Sequence, residues 1–143
     1  MTETPPETRS IVVEREFSHP PEKLWRALTQ PHLIAEWLMK NDFQPGIGHR
    51  FTLDPDWGGR IDCAVIALEP GSLLSYSWNH VHDDPAYDLR SIVLFTLTPT
   101  TEGTRLRMEQ SGFRPGQRQA YGGAKAGWPR LLDKLDKVLG RAD

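Results

Sequence analysis

His80 and His82 stand one residue apart and are followed at once by Asp83 and Asp84, so four metal-capable side chains crowd into one short stretch. A metal centre would need about three or four converging donors with neighbours to orient them. The surrounding residues are polar and turn-forming, so a solvated hairpin loop accounts for the same cluster, and no metal is expected. His49, beside Arg50 and Phe51, is a candidate general base or ligand contact. The alternative is a histidine at a turn edge satisfied by backbone. Arg15 falls on the apolar side of an alternating segment, where a guanidinium must pair, reach solvent or line a wet cavity; Asp62, Glu109 and Tyr76 are the candidate partners. Tyr76 and Tyr121 offer hydroxyls to a ligand, while Lys125 is read as solvated. Cys63 sits among apolar neighbours with no basic helper and reads as a small buried residue. No nucleophile elbow and no glycine-rich phosphate loop is present in the sequence.

The elements that must position these groups are legible from periodicity. Ile11 to Phe17 alternates as a strand, with Ile11, Val13, Arg15 and Phe17 on one face. Pro20 and Pro21 open a helix with Leu24, Trp25 and Leu28 inward, Pro31 ends it, and a second short helix runs from Leu33 to Leu38. Strands are expected near Gly48 to Leu53, Arg60 to Leu68, Leu73 to Trp78, Ser91 to Thr98 and Thr104 to Ser111. They are separated by turn residues at Asp56-Trp57-Gly58-Gly59, Glu69-Pro70-Gly71, His80 to Asp88 and Thr100 to Gly103. This order of strand, two helices, five strands and a long helix predicts an α+β domain, an antiparallel sheet with the helices on one face.

The final helix has two unlike halves. Leu131, Leu132, Leu135, Val138 and Leu139 repeat at the spacing of one buried stripe. Tyr121 to Trp128 is nearly all Gly and Ala around one Trp, which predicts unfilled volume between helix and sheet. Pro129 lies inside the segment, lacks an N–H and clashes with the preceding turn, so a break or bend is expected near Gly127 to Pro129.

Composition sets the bounds. The 143 residues suit one domain, read here as residues 11–143 behind a frayed tail of residues 1–10 that is neither signal peptide nor membrane anchor. A net charge of -2 with dispersed Lys and Arg argues against nucleic acid and membrane partners. A single cysteine excludes an intrachain disulfide and fits a reducing cytoplasm.

Several motifs in order make the chain similar to a known family. They are His19-Pro20-Pro21-Glu22-Lys23-Leu24-Trp25-Arg26-Ala27-Leu28-Thr29, Ala35-Glu36-Trp37-Leu38, Pro45-Gly46-Ile47-Gly48-His49-Arg50-Phe51 and Glu69-Pro70 before Leu74-Ser75-Tyr76-Ser77-Trp78. Gly103-Thr104-Arg105-Leu106, Ser111-Gly112-Phe113 and Gly127-Trp128 follow. Spanning Ile11 to Leu139, they resemble the START-like (SRPBCC, helix-grip) superfamily, and within it bacterial proteins similar to the C-terminal domain of the Hsp90 ATPase activator. The resemblance implies a curved antiparallel sheet of about six strands gripping the long helix, with a cavity that in relatives receives lipids, polyketides or other apolar molecules. Two positions depart from it: relatives often carry Trp where Leu38 stands and His where Gln110 stands. The eukaryotic co-chaperone also has a separate N-terminal domain, without counterpart in these residues.

The expectation is therefore a protein that binds a small apolar or amphipathic molecule between sheet and C-terminal helix. Trp37, Phe51, Tyr76, Trp78, Phe95, Met108, Tyr121, Ala124 and Trp128 are the candidate lining residues, and Arg15, His49 and Gln110 the candidate polar groups. No cofactor is expected. The alternatives are a cyclase, dehydratase or hydrolase in which His49, Arg15 or Tyr76 moves a proton or holds an oxyanion, and an interaction module that acts on a chaperone or regulatory protein. A protein partner and the oligomeric state are left open by the sequence.

Overall fold

The computed structural model describes residues 8–55 and 59–141; the start of the expected tail and the turn residues Asp56-Trp57-Gly58 lie outside the described residues. Seven strands form one antiparallel sheet in the order β1-β7-β6-β5-β4-β3-β2. They are β1 (Arg9–Phe17), β2 (Lys40–Asn41), β3 (Arg50–Asp54), β4 (Ile61–Glu69), β5 (Leu73–His80), β6 (Leu89–Pro99) and β7 (Thr104–Phe113). Helices α1 (Pro21–Thr29) and α2 (Pro31–Trp37) follow β1, and α3 (Arg118–Arg141) closes the order. This is the α+β helix-grip fold, with one strand more than expected. The extra strand is β2, two residues paired with β3 and too short to show alternation. Arg9 and Ser10, expected in the tail, belong to β1 because β7 offers Phe113 and Ser111 as register partners.

The register places one residue type on one face. Val13, Met108 and Phe95 oppose one another across β1, β7 and β6, and Ile11, Gln110 and Val93 form the neighbouring row. Val65 and Tyr76 continue the latter across β4 and β5. That face carries the buried core, and the helices cover it. Two family motifs have direct steric reasons. A Cβ at Gly103 would run into the Phe17 carbonyl, and Gly112 has φ near 112° with the Arg90 carbonyl 2.6 Å from where a Cβ would sit. Only glycine lets β7 pass its neighbours at these points.

Proline punctuates the short helices. Pro21 and Pro31 each occupy a first helical position, where the missing N–H costs no bond, and Gln30 between them is extended. Trp37 ties the pair together through its indole N–H, which donates to the Ala27 carbonyl at 2.8 Å. Of the break or bend expected near Gly127 to Pro129, the break does not occur, and α3 runs uninterrupted over 24 residues. The bond Pro129 cannot make would end on the carbonyl of Lys125, a residue exposed to solvent where water can substitute. The C-terminal half of α3 buries Leu132, Leu135, Val138 and Leu139. Among the described residues no helix is long and apolar enough to cross a membrane.

Candidate functional site

The N-terminal half of α3 does not pack down in the same way. Ala120, Gly123, Ala124, Gly127, Trp128 and Leu131 recur at three- and four-residue spacing and present one face of the helix to the sheet. The alanines and glycines among them leave a half-open cavity of about 690 Å³. That volume lies within the range of small-molecule sites, about 300–1,000 Å³. A Cβ built on Gly123 or Gly127 meets nothing within 4 Å, so the space beside both is empty. Trp78, Leu89 and Gln110 line it from the sheet side, and Met39, Ile61, His80 and Tyr87 also contribute.

One chain of polar groups links the sheet side of this cavity to α3. The Trp128 indole N–H donates to Gln110 Oε1 at 2.7 Å, Gln110 Nε2 donates to Ser91 Oγ at 3.1 Å, and the Ser91 hydroxyl donates to the Trp78 carbonyl at 2.6 Å. An indole can only donate, so it fixes which end of the Gln110 amide carries oxygen. Gln110 is 1% exposed. Its amide uses one of its two N–H donors here.

The rim is held by a clamp. Gln117, buried just before α3, donates to the carbonyls of Asp88 and Pro85 at 2.7 and 3.2 Å, and its own carbonyl oxygen accepts the Arg114 N–H at 3.0 Å. Arg114 Nη2 reaches the same two carbonyls at 3.1 and 3.4 Å. The loop between β5 and β6 is thereby fixed against the start of α3. Within that loop the His80 ring donates to the Tyr87 carbonyl at 3.1 Å and the Asp84 N–H donates to His82 Nδ1 at 3.0 Å. Asp88 accepts the His82 N–H at 2.9 Å and the Arg90 guanidinium, which together hold its carboxyl below the usual range. Among the described residues no three His, Cys, Asp or Glu side chains converge as metal ligands.

The matching family model is that of the Activator of Hsp90 ATPase homolog 1-like proteins, over residues 18–140. The chain belongs to this family. A crystal structure of a Mesorhizobium loti protein is 69% identical, with a TM-score of 0.92 over 94% of this chain and 99% of that one. DynU16, a protein of the dynemicin biosynthetic locus, is 26% identical over 92% of this chain and 47% of its own, with a TM-score of 0.79. CalU16 of Micromonospora echinospora is 25% identical, with a TM-score of 0.77 over 92% of this chain and 76% of that one. No curated protein matches the chain.

Against the family's START-like frame, the candidate residues divide. Trp78, Gln110, Ala124 and Trp128 line the cavity. Phe51 and Tyr76 instead stack edge to face at 5.0 Å deep in the core, and Phe95 meets Trp37 and Trp128 at 6.3 and 5.9 Å. Met108 is fully buried beside Phe95 in register. Tyr121 turns away to Phe113 at 5.5 Å and lies beneath the Arg9 guanidinium. Burial pushes the Tyr76 phenol well above its ordinary value, so it stays protonated.

Arg15 pairs with Asp133 on α3 at 2.6 Å, none of the three partners expected from the sequence. His49 bonds through its backbone to Gly46 and Val65, while its buried Nε2 finds no hydrogen-bond partner among the described residues. Neither Arg15 nor His49 is among the residues lining the cavity. Cys63 is buried, and desolvation, with smaller contributions from Asp62 and Asp42, pushes its thiol up beyond any physiological ionisation. The small-residue stretch Tyr121 to Trp128 contains Gly123 and Gly127, whereas nothing in the sequence reading pointed to Ala120, Arg130 and Lys134 as lining. The three-four spacing from Ala120 to Lys134 was the signal that could have placed them on one face.

Proposed function

We propose that this chain binds a small hydrophobic or amphipathic molecule in the cavity between the sheet and the N-terminal half of α3. The observation that carries the reading is the unfilled space beside Gly123 and Gly127 in a molecule otherwise packed around large buried rings. Interiors close-pack, and an apolar hollow of this size is an unmet hydrophobic contact that a ligand can supply. Trp78, Trp128 and Leu89 provide the apolar surface, and Gln110 lines the cavity with them. The enzymatic alternative gains no support from its chosen groups, since Arg15, His49 and Tyr76 are not among the lining residues. Residues 11–143 are read as the one domain that carries the site, in a reducing cytoplasm that suits the buried Cys63 thiol.

The test uses N-phenyl-1-naphthylamine, a neutral aromatic probe that brightens in apolar surroundings. Saturable one-to-one binding is expected, with energy transfer from tryptophan. Gly127→Leu should place a side chain into the cavity and remove that binding while the protein stays folded, because leucine favours helix over glycine by up to about 1 kcal/mol. Undiminished binding to a folded Gly127→Leu protein would place the probe elsewhere and overturn the proposal.

A further inference from the structure

Charge around the cavity is not distributed as it is over the chain. The whole sequence has a net charge of -2, yet among the described residues those lining the cavity include Arg130 and Lys134 and no Asp or Glu. The two cations sit four residues apart on α3, on the face that carries Ala120, Ala124 and Gly127. Like charges at that spacing repel. Among the described residues neither Arg130 nor Lys134 makes an ion pair, and Asp133, which lies between them in sequence, pairs with Arg15. Long stems on both residues can lie along the apolar wall while their heads stay at its edge.

We infer that the occupant is an amphipathic organic anion, with its apolar body in the cavity and its anionic group at the rim between Arg130 and Lys134. This rests on the ligand-binding reading above and adds the sign of the ligand's charge. An anion there relieves the repulsion between the two cations. Beside a low-dielectric wall the attraction also exceeds that of an ion pair surrounded by water. A neutral ligand of the same shape gains the apolar contact alone.

A matched pair of probes isolates the charge: N-phenyl-1-naphthylamine, and 8-anilinonaphthalene-1-sulfonate, which has the same ring system with one sulfonate added. Affinities of both are measured for the full chain, for the double variant Arg130→Gln with Lys134→Gln, and for Arg130→Glu with Lys134→Glu. The unmodified protein should prefer the anion by about three- to tenfold, the scale of one or two partly exposed ion pairs. The Gln pair should bring the ratio of the two affinities to about one, any loss of apolar wall weakening both probes alike, and the Glu pair should reverse it. Raising salt should shrink both the preference of the unmodified protein and the reversed preference of the Glu pair, and leave the Gln pair near one. Equal binding of the two probes by the unmodified protein, or a preference that survives the Gln pair, overturns the charge assignment and leaves the cavity reading standing. Failure of both probes to bind overturns both.

Discussion

Gln110 joins three elements through one amide, and its chemistry explains why it stands on a face otherwise built of apolar side chains. It accepts from the Trp128 indole on α3 and donates to Ser91 on β6. Replacing it with leucine leaves the buried Trp128 N–H without its acceptor, which costs about 1–3 kcal/mol. Urea unfolding of Gln110→Leu should show that loss, and Gln110→His, which restores an acceptor at the residue type relatives often carry, should lose less. Equal losses would mean the hydrogen bond is not what the position supplies. Sequence could mark Gln110 as a departure from the family pattern, because a side chain's identity is visible there. It could not find the partner of Arg15, since Asp133 lies 118 residues away and becomes a neighbour only once α3 crosses β1 in one particular orientation. Tyr76 and Phe51 illustrate the same limit. Their aromatic character was plain, but whether a ring faces a cavity or another ring depends on how the sheet and helices fill the space between them.

At the scale of elements, the same substitution should have opposite signs at two glycines. In the helix, Gly123→Ala adds a Cβ where nothing lies within 4 Å, and removes the backbone freedom that glycine loses on folding. A gain of about 0.5–1 kcal/mol is expected, or about 2–4 °C in Tm for a chain of this size. In the turn between β6 and β7, Gly103→Ala drives the added carbon into the Phe17 carbonyl, and overpacking of this kind costs about 1–3 kcal/mol. Thermal melts of the two variants check both signs; a Gly123→Ala protein that melts lower would mean the space beside α3 is not empty. Strand alternation made six of the seven strands legible, because one buried face repeats every second residue. The two-residue β2 carries no such pattern, and the absence of a break at Pro129 was not legible because the exposure of Lys125, whose carbonyl loses the bond, is decided by how α3 packs.

Across the whole molecule, α3 divides the structure into a filled end and a hollow end. Leu132, Leu135, Val138 and Leu139 are buried against α1, α2 and the sheet, whereas no residue from Arg118 to Gly127 reaches that level of burial. Helical hydrogen bonds without packing beneath them open at little cost, so protection from amide hydrogen exchange should be lower over residues 121–127 than over 132–139. A ligand in the cavity changes this in a definite way. At a free concentration of 100 times Kd it stabilises the native state by about 2.7 kcal/mol, which slows exchange through global unfolding by about a hundredfold. Amides of residues 132–139 should gain that factor wherever the ligand binds. Those of residues 121–127, which exchange through local opening, gain it only if that opening also destroys the binding site. Exchange measured with and without N-phenyl-1-naphthylamine therefore distinguishes a ligand held by the hollow half of α3 from one held elsewhere: a comparable gain in both segments is expected, and a gain confined to residues 132–139 would remove the helix's small-residue half from the site.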